Sequence, residues 1–175
     1  MDKLHWLKGI WKSTSAQGVL PNRTPFTYID TLSITQTKNK PYLNFSSNTI
    51  NNEEDRKAMH CEVGFLRMVN DGICLQLAHN FGVNSVEKGA YDEANGTEFH
   101  LESTSLVRVL DESALVSPSK AKVVKLRRHF KLIEGGRLEQ CVDKLSARGI
   151  ILGRLTKAKA STKCVDKLSS HSTSF

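Results

Sequence analysis

The sequence predicts an all-β protein: a closed up-and-down antiparallel barrel of about ten strands, with the ligand-enclosing architecture of lipocalins and fatty-acid-binding proteins. Short runs rich in Val, Ile, Thr, Phe and Tyr alternate with clusters of Gly, Asn, Asp and Pro, which is typical of strands joined by tight turns. Because hairpin follows hairpin, the strands form a meander, and closing a long meander removes its two exposed edges. The 175 residues are enough for one domain with a sizeable core.

The predicted elements begin with a short N-terminal helical turn. Leu4 and Leu7 have helical spacing, and the turn ends near Gly9. Strands are predicted at 10–17, 26–35, 42–49, 58–68, 73–79, 83–92, 97–107, 122–133, 137–145 and 150–158. Residues that tolerate positive φ separate several of them, at 69–72, 80–82, 93–96 and 134–136. We therefore predict a barrel domain over 1–158 and a polar, flexible tail over 159–175.

A barrel of this size predicts an internal cavity. Eight strands already enclose a small ligand in lipocalins, so ten strands leave more space than side chains alone fill. Trp6 and Trp11 are predicted to pack in the core at the closed end of the barrel.

Composition limits the classes of function. Hydrophobic residues make up 39% of the chain, and no apolar run approaches the roughly 20 residues of a membrane helix. The N-terminus lacks the apolar region of a secretory signal, so a cytoplasmic or nuclear protein is expected. The cysteines are far apart and include no C-x-x-C pair, which argues against a disulfide framework or a zinc finger. They are Cys61, Cys74, Cys141 and Cys164.

The net charge of +7 is unevenly distributed, because residues 120–175 hold 14 Lys and Arg against 4 Asp and Glu. Such asymmetry can indicate a nucleic-acid partner. Here the basic residues of 123–132 alternate with apolar ones, which is typical of the outer face of a strand. No nucleic-acid-binding motif accompanies them. A small molecule in the cavity is therefore the expected partner, nucleic acid is not, and the sequence leaves a homodimer open.

Motifs spread over residues 4–158 resemble the nitrobindin family in their order and spacing. The strongest is Met59-His60-x-Glu62-x-Gly64-Phe65-x-Arg67. The others are Leu4-x-x-Leu7-x-Gly9-x-Trp11, Pro25-Phe26-x-Tyr28, Lys40-Pro41-Tyr42-Leu43-Asn44-Phe45, Ala78-x-Asn80-x-Gly82-Val83, Val86-Glu87-x-Gly89 and Arg137-Leu138-Glu139-Gln140-x-Val142. The chain is also similar to the nitrobindin-like, heme-binding C-terminal domain of a THAP-type zinc-finger protein, although its sequence contains no THAP finger.

The resemblance implies a ten-stranded barrel that holds heme b, with ferric iron bound through one histidine of the last strand. It also implies reaction with nitric oxide and isomerisation of peroxynitrite to nitrate, so that a heme-loaded chain would be a peroxynitrite isomerase. An imidazole suits this role because it supplies a neutral nitrogen ligand to the iron.

The sequence departs from the family pattern at the heme site. The axial histidine position falls on Arg154 in an ungapped alignment, and on Ala160 in the other register. A guanidinium has no free lone pair for iron, although Arg154 could pair with a heme propionate. The family's heme-contacting threonine corresponds to Asn22, which can still form a hydrogen bond.

The resemblance places Met59, His60 and His79 in the cavity wall. Met59 would be an apolar wall group, and either histidine could bind heme iron from a different side. The two imidazoles could instead bind a bare metal ion, or stay neutral as hydrogen-bonded wall residues. The sequence leaves these alternatives open.

Two functional hypotheses follow, and a third ranks below them. The first is a heme-binding barrel with an altered iron ligand that acts on nitric oxide and peroxynitrite. The alternative is a heme-free carrier of a small hydrophobic or anionic amphiphilic ligand, with Arg154 at its head group. In the third, the barrel is a scaffold whose basic C-terminal third binds nucleic acid or protein. The sequence assigns no catalytic residue.

Overall fold

The computed structural model describes residues 2–19, 24–70, 72–94, 96–108, 123–145 and 151–162. Of Asp2, Thr14, Ser15 and residues 151–162, only the backbone is described. A 3-10 helix (Asp2–Leu7) precedes the strands β1 (Gly9–Val19), β2 (Pro25–Thr35), β3 (Leu43–Asn51), β4 (Ala58–Val69), β5 (Gly72–His79), β6 (Val83–Ala90), β7 (Glu98–Arg108), β8 (Lys125–Ile133), β9 (Arg137–Leu145) and β10 (Ile151–Thr162). Among the residues described, no helix is long and apolar enough to cross a membrane.

The strands form a closed barrel in which each pairs antiparallel with the next, and β10 pairs with β1. Ile10 of β1 lies opposite Ser33 of β2 on one side and Thr162 of β10 on the other. The predicted fold class and the predicted number of strands are thereby confirmed. The last strand continues to Thr162, beyond the predicted end at residue 158.

Apolar side chains fill one end of the barrel. Leu4 and Leu7 of the 3-10 helix are 0% exposed, and Trp11 Nε1 donates a hydrogen bond to the Leu7 carbonyl at 2.8 Å. Trp6 packs edge-on against Phe99, so both tryptophans pack at the closed end as predicted. The apolar cluster also contains Leu32, Ile34, Leu43, Phe45, Leu66, Ile73, Leu75, Leu77, Leu101, Phe130 and Leu138. A ligand would therefore have to lie towards the opposite end.

Polar side chains surround the interior next to this apolar cluster. We call them the buried polar belt, which consists of Ser13, Asp30, Ser47, Glu62, Glu87, Arg128 and Gln140. They occupy the inward-facing positions of strands whose successive side chains alternate between the two faces of the sheet. Ser47 Oγ donates a hydrogen bond to Asp30 Oδ1 at 2.9 Å, and Ser13 Oγ accepts one from the Asp30 amide at 3.0 Å. The interior thus changes from apolar at the closed end to polar at its middle.

Candidate functional site

Three buried charged side chains meet in the buried polar belt. The Arg128 guanidinium donates from Nη1 and Nη2 to the two Glu62 carboxylate oxygens, at 2.9 and 3.0 Å. Its Nε and Nη2 also donate to the Glu87 carboxylate, at 2.9 and 3.3 Å. Two parallel hydrogen bonds between a guanidinium and a carboxylate fix both groups in orientation. Arg128 therefore holds Glu62 in one position across the interior.

Burial and charge act in opposite directions on these groups. Burial alone would raise the pKa of the Glu62 carboxyl, but the Arg128 guanidinium and the hydrogen bonds hold that pKa well below its usual value. Burial would likewise lower the pKa of Arg128, and the carboxylates of Glu62 and Glu87 raise it above its usual value. Glu62 and Arg128 are therefore both charged in the barrel.

His60 and His79 lie beside Glu62, on the side of the belt away from the apolar cluster. His79 of β5 is directly opposite Glu62 of β4, and His60 lies two residues before Glu62, on the same face of β4. His60 Nε2 is 3.1 Å from His79 Nδ1, and these nitrogens are 3.5 and 3.4 Å from Glu62 Oε1. We call these three residues the His–Glu–His cluster. Their three possible ligand atoms lie within 3.5 Å of one another.

A chain of hydrogen bonds orients the His79 ring. Its Nε2 is 3.1 Å from Ser85 Oγ, and Ser85 Oγ donates to Glu87 Oε1 at 3.0 Å. Because the single hydroxyl proton of Ser85 is directed to Glu87, the hydroxyl oxygen accepts the Nε2 proton of His79. In the neutral ring the lone pair is then on Nδ1, which faces His60 and Glu62.

His60 is a neutral imidazole at physiological pH. Burial lowers its pKa to about 4, against the opposing effect of Glu62, and Lys144, His79 and Arg128 add to the lowering. A neutral imidazole has one nitrogen that donates a proton and one that accepts. His60 Nε2 can therefore either donate to His79 Nδ1 or present a lone pair to a ligand.

Gln140 is a member of the belt in which both side-chain polar atoms lack a partner among the described side chains. Its side chain is fully buried, and neither Nε2 nor Oε1 has a hydrogen-bond partner among the residues whose side chains are described. Gln140 faces the interior, because it lies two residues from Leu138 and two from Val142 along β9, and all three are buried on the same face. A buried amide without partners among the described side chains is a candidate contact for a polar ligand.

A second group of histidines lies on the outer face of the barrel. His129 Nε2 is 2.9 Å from Glu98 Oε1, and His100 Nε2 is 3.7 Å from the same oxygen. The two rings stack with their centroids 4.1 Å apart. The His100 side chain is 72% exposed, so this group is a surface feature rather than part of the interior site.

The structure places some of the predicted site residues inside the barrel and others elsewhere. His60 and His79 are brought together inside the barrel. Met59 is 38% exposed, because it is adjacent to His60 and therefore points to the opposite face of the strand; its expected place in the cavity wall is wrong. The backbone of Arg154 pairs with Val19 and Asp143, but its side chain lies outside the described residues, as does Asn22 altogether.

The sequence interpretation gave no role to Ser85, Glu87, Arg128 or Gln140. The basic run of 123–132 was assigned to an outer strand face, yet Arg128 points inward. A signal was present, because Arg128 has the same phase of the alternation as Leu126 and Phe130. A charged residue at an inward position predicts a buried partner.

Comparisons with known proteins agree with this architecture. The family model for the THAP4-like, heme-binding beta-barrel domain matches residues 1–159. The crystal structure of Rv2717c from M. tuberculosis is similar, with a TM-score of 0.71 and 23% sequence identity, over 93% of this chain and 96% of that one. At this identity the likeness shows the fold. No curated protein matches the sequence.

Heme, which the family description implies, does not fit the His–Glu–His cluster. A porphyrin fills four coplanar positions around iron and leaves two axial positions on opposite sides. The three donor atoms lie 3.1–3.5 Å from one another, so a porphyrin whose iron was bound by one imidazole nitrogen would overlap the other imidazole. β10 contains no histidine in its sequence. The described side chains therefore provide no axial ligand in the manner of the family.

Proposed function

Because the chain belongs to the THAP4-like, heme-binding β-barrel domain family, we propose that it keeps the ligand-binding barrel but takes a small neutral molecule into it without ligating heme iron. Family membership supports a ligand inside the barrel. Binding without heme is supported by the closely spaced donors of the His–Glu–His cluster and by the absence of histidine from the sequence of β10.

The buried amide of Gln140 carries this proposal. Leaving a buried donor or acceptor unsatisfied costs about 1–3 kcal/mol, and the two atoms of this amide both lack partners among the described side chains. A ligand that presents an acceptor beside a donor, as a carboxamide does, would satisfy both atoms at once. Binding would then recover a free-energy cost that is already present in the ligand-free barrel.

The charges of the belt favour a neutral ligand over an anionic one. The described belt holds three acidic side chains, Asp30, Glu62 and Glu87, and one basic side chain, Arg128. A carboxylate brought next to them would be repelled in a medium of low dielectric constant. Binding of an anionic amphiphile, the alternative that the sequence suggests, would thus depend on a favourable charge from Arg154. In addition, the apolar cluster fills the closed end, so a long hydrocarbon chain finds no space there.

Two matched probes test this proposal, hexanamide and hexanoate, with binding followed by saturation-transfer difference NMR and by the melting temperature. We expect hexanamide to bind and to raise the melting temperature, and hexanoate to bind more weakly. Gln140→Leu should abolish the hexanamide effect while the ligand-free protein melts no lower than wild type, because the variant removes unsatisfied polar atoms. Gln76→Leu, at an exposed position of β5, is the control. Tighter binding of hexanoate, or hexanamide binding unaffected by Gln140→Leu, would contradict the proposal.

The family match over residues 1–159 favours a second candidate, which is heme binding. A hemin titration followed in the Soret region separates the two candidates. A stoichiometric shift that is lost in His60→Ala or His79→Ala would establish heme ligation and would make peroxynitrite isomerisation the activity to assay. Weak binding that neither substitution changes would support the heme-free barrel.

A further inference from the structure

We propose that the His–Glu–His cluster is a binding site for a single divalent transition-metal ion, held without a porphyrin. The donors His60 Nε2, His79 Nδ1 and Glu62 Oε1 form a triangle with sides of 3.1, 3.4 and 3.5 Å. The centre of this triangle is about 1.9 Å from each donor, so an ion slightly above its plane reaches the roughly 2.0–2.2 Å of zinc–nitrogen and zinc–oxygen bonds. The distances between the donors suit such an ion, and the two rings, whose centroids are 5.3 Å apart with the nitrogens facing each other, would turn slightly to direct both lone pairs at it.

Hydrogen bonds orient two of the three donors, His79 and Glu62. A histidine that binds metal almost always donates its other ring proton to an acceptor, and His79 donates from Nε2 to Ser85, which Glu87 holds in turn. Glu62 Oε1 accepts one hydrogen bond from Arg128 and keeps a second lone pair. His60 frees its Nε2 lone pair by carrying its single proton on Nδ1, a change of tautomer in which no proton is gained or lost.

The local charge permits a divalent ion but limits its affinity. Glu62 shares its carboxylate between the ion and Arg128, so the attraction is weaker than in a site where the carboxylate faces the metal alone. Glu87 provides a second buried carboxylate on the other side of the guanidinium. We therefore expect 1:1 binding that is weaker than that of closed structural zinc sites.

The donor set selects the class of metal. Two imidazole nitrogens and one carboxylate oxygen on one face, with the remaining positions free, are typical of Fe²⁺ and also suit Zn²⁺ and Co²⁺. Ca²⁺ and Mg²⁺ prefer sites made of oxygen atoms. The His60 side chain is 14% exposed, against 1% for His79 and 5% for Glu62, so an ion would approach from the side of His60.

The test uses Co²⁺, whose visible absorption reports its coordination, and Zn²⁺ as a competitor, with the full chain after treatment with a chelator. We expect one equivalent of Co²⁺ to bind and Zn²⁺ to displace it. His79→Gln should weaken the binding by more than about 100-fold, and Ser85→Ala, which removes only the orienting hydrogen bond, by about 10–100-fold. His100→Gln and His129→Gln on the outer face should leave it unchanged.

Two results would overturn the site. The first is wild-type protein that gives no cobalt spectrum at millimolar Co²⁺. The second is binding that survives His79→Gln and is lost in His100→Gln, which would place the ion on the outer face.

If His79→Gln does not fold, nitrogen NMR of the wild-type imidazoles shows whether the ion binds at His60 and His79. Zn²⁺ should shift His60 Nε2 and His79 Nδ1, and unchanged resonances at saturating Zn²⁺ would contradict the proposal. Because neither readout involves Gln140, the metal site is tested independently of the proposed binding of a neutral ligand.

Discussion

The charged side chains of Arg128, Glu62 and Glu87 are expensive to bury, and each is paired with a side chain of opposite charge. Arg128 and Glu87 have side chains that are 0% exposed, and Glu62 is nearly as buried. Removing one partner from such a group typically costs about 3–5 kcal/mol, because the remaining charge stays desolvated, whereas replacing the whole group by apolar residues is often neutral. We infer that the network serves mainly to orient Glu62 and Glu87 towards the histidines.

The depressed pKa of His60 predicts that the metal-free protein loses stability on mild acidification. In the unfolded chain His60 titrates near pH 6.5, and in the barrel its pKa is about 4. Between these values the unfolded chain binds more protons than the folded one, so the free energy of unfolding is highest above pH 6.5 and falls as the pH drops towards 4. The loss from this group approaches about 3 kcal/mol. Urea unfolding at pH 7 and pH 4.5 measures it.

The control for this pH dependence is His60→Gln, which removes the titrating ring. The charged and titratable groups near the ring, Glu62, Lys144, His79 and Arg128, remain in the variant. The difference in unfolding free energy between the two pH values should therefore shrink in His60→Gln relative to wild type. An equal difference in both proteins would assign the acid sensitivity to another group.

At the scale of single residues, the sequence predicts the histidines but not their partners. His60 and His79 are found because the family resemblance places both of them in the cavity wall. Arg128, Ser85 and Gln140 are missed, because their roles depend on which strands lie across the interior from them. That information comes from barrel closure, whereas the alternation along a strand indicates only that the side chain points inward.

Within the β4–β5 hairpin, a close approach of two backbones explains a glycine of the strongest motif. A Cβ atom at Gly64 would lie 1.8 Å from the Gln76 carbonyl oxygen of the neighbouring strand. Gly64 sits opposite Leu77 in the ladder, between Glu62 and Leu66 on the inward face. The absence of a side chain therefore lets β5 approach β4 at the level of the His–Glu–His cluster.

Gly64→Ala is expected to lower the free energy of unfolding by about 3 kcal/mol or more, because the clash is with backbone that can move only by disrupting the ladder. Thermal and urea unfolding measure the loss. Gly135→Ala is the matched control, since a Cβ there meets nothing within 4 Å and only the positive φ of +75° is unfavourable, at a cost of about 1 kcal/mol. If the two variants were equally destabilised, steric contact with β5 would not be the reason for glycine at position 64.

For the whole molecule, closure of the barrel is the feature that the sequence predicts best. The spacing of turn residues and of apolar runs placed all the described strands within a few residues of their observed bounds, since both signals are local. The ends of strands also depend on distant parts of the chain. β10 extends to Thr162 because it pairs with the start of β1, a contact between residues far apart in the sequence. The division of the interior into an apolar end and a polar middle likewise depends on how the strands are staggered.

The 3-10 helix closes one end of the barrel, and Leu7→Ala tests how far the whole fold depends on it. Leu7 is 0% exposed within the apolar cluster, and its carbonyl accepts the Trp11 indole hydrogen bond. Truncation of a buried leucine costs about 2–5 kcal/mol, so the melting temperature should fall markedly. His5→Ala, at an exposed position of the same helix, should change it little. If the helix seals the barrel, Leu7→Ala should also bind an apolar fluorescent dye before the main unfolding transition. Loss of stability without early dye binding would mean that the helix stabilises the core but does not act as a seal.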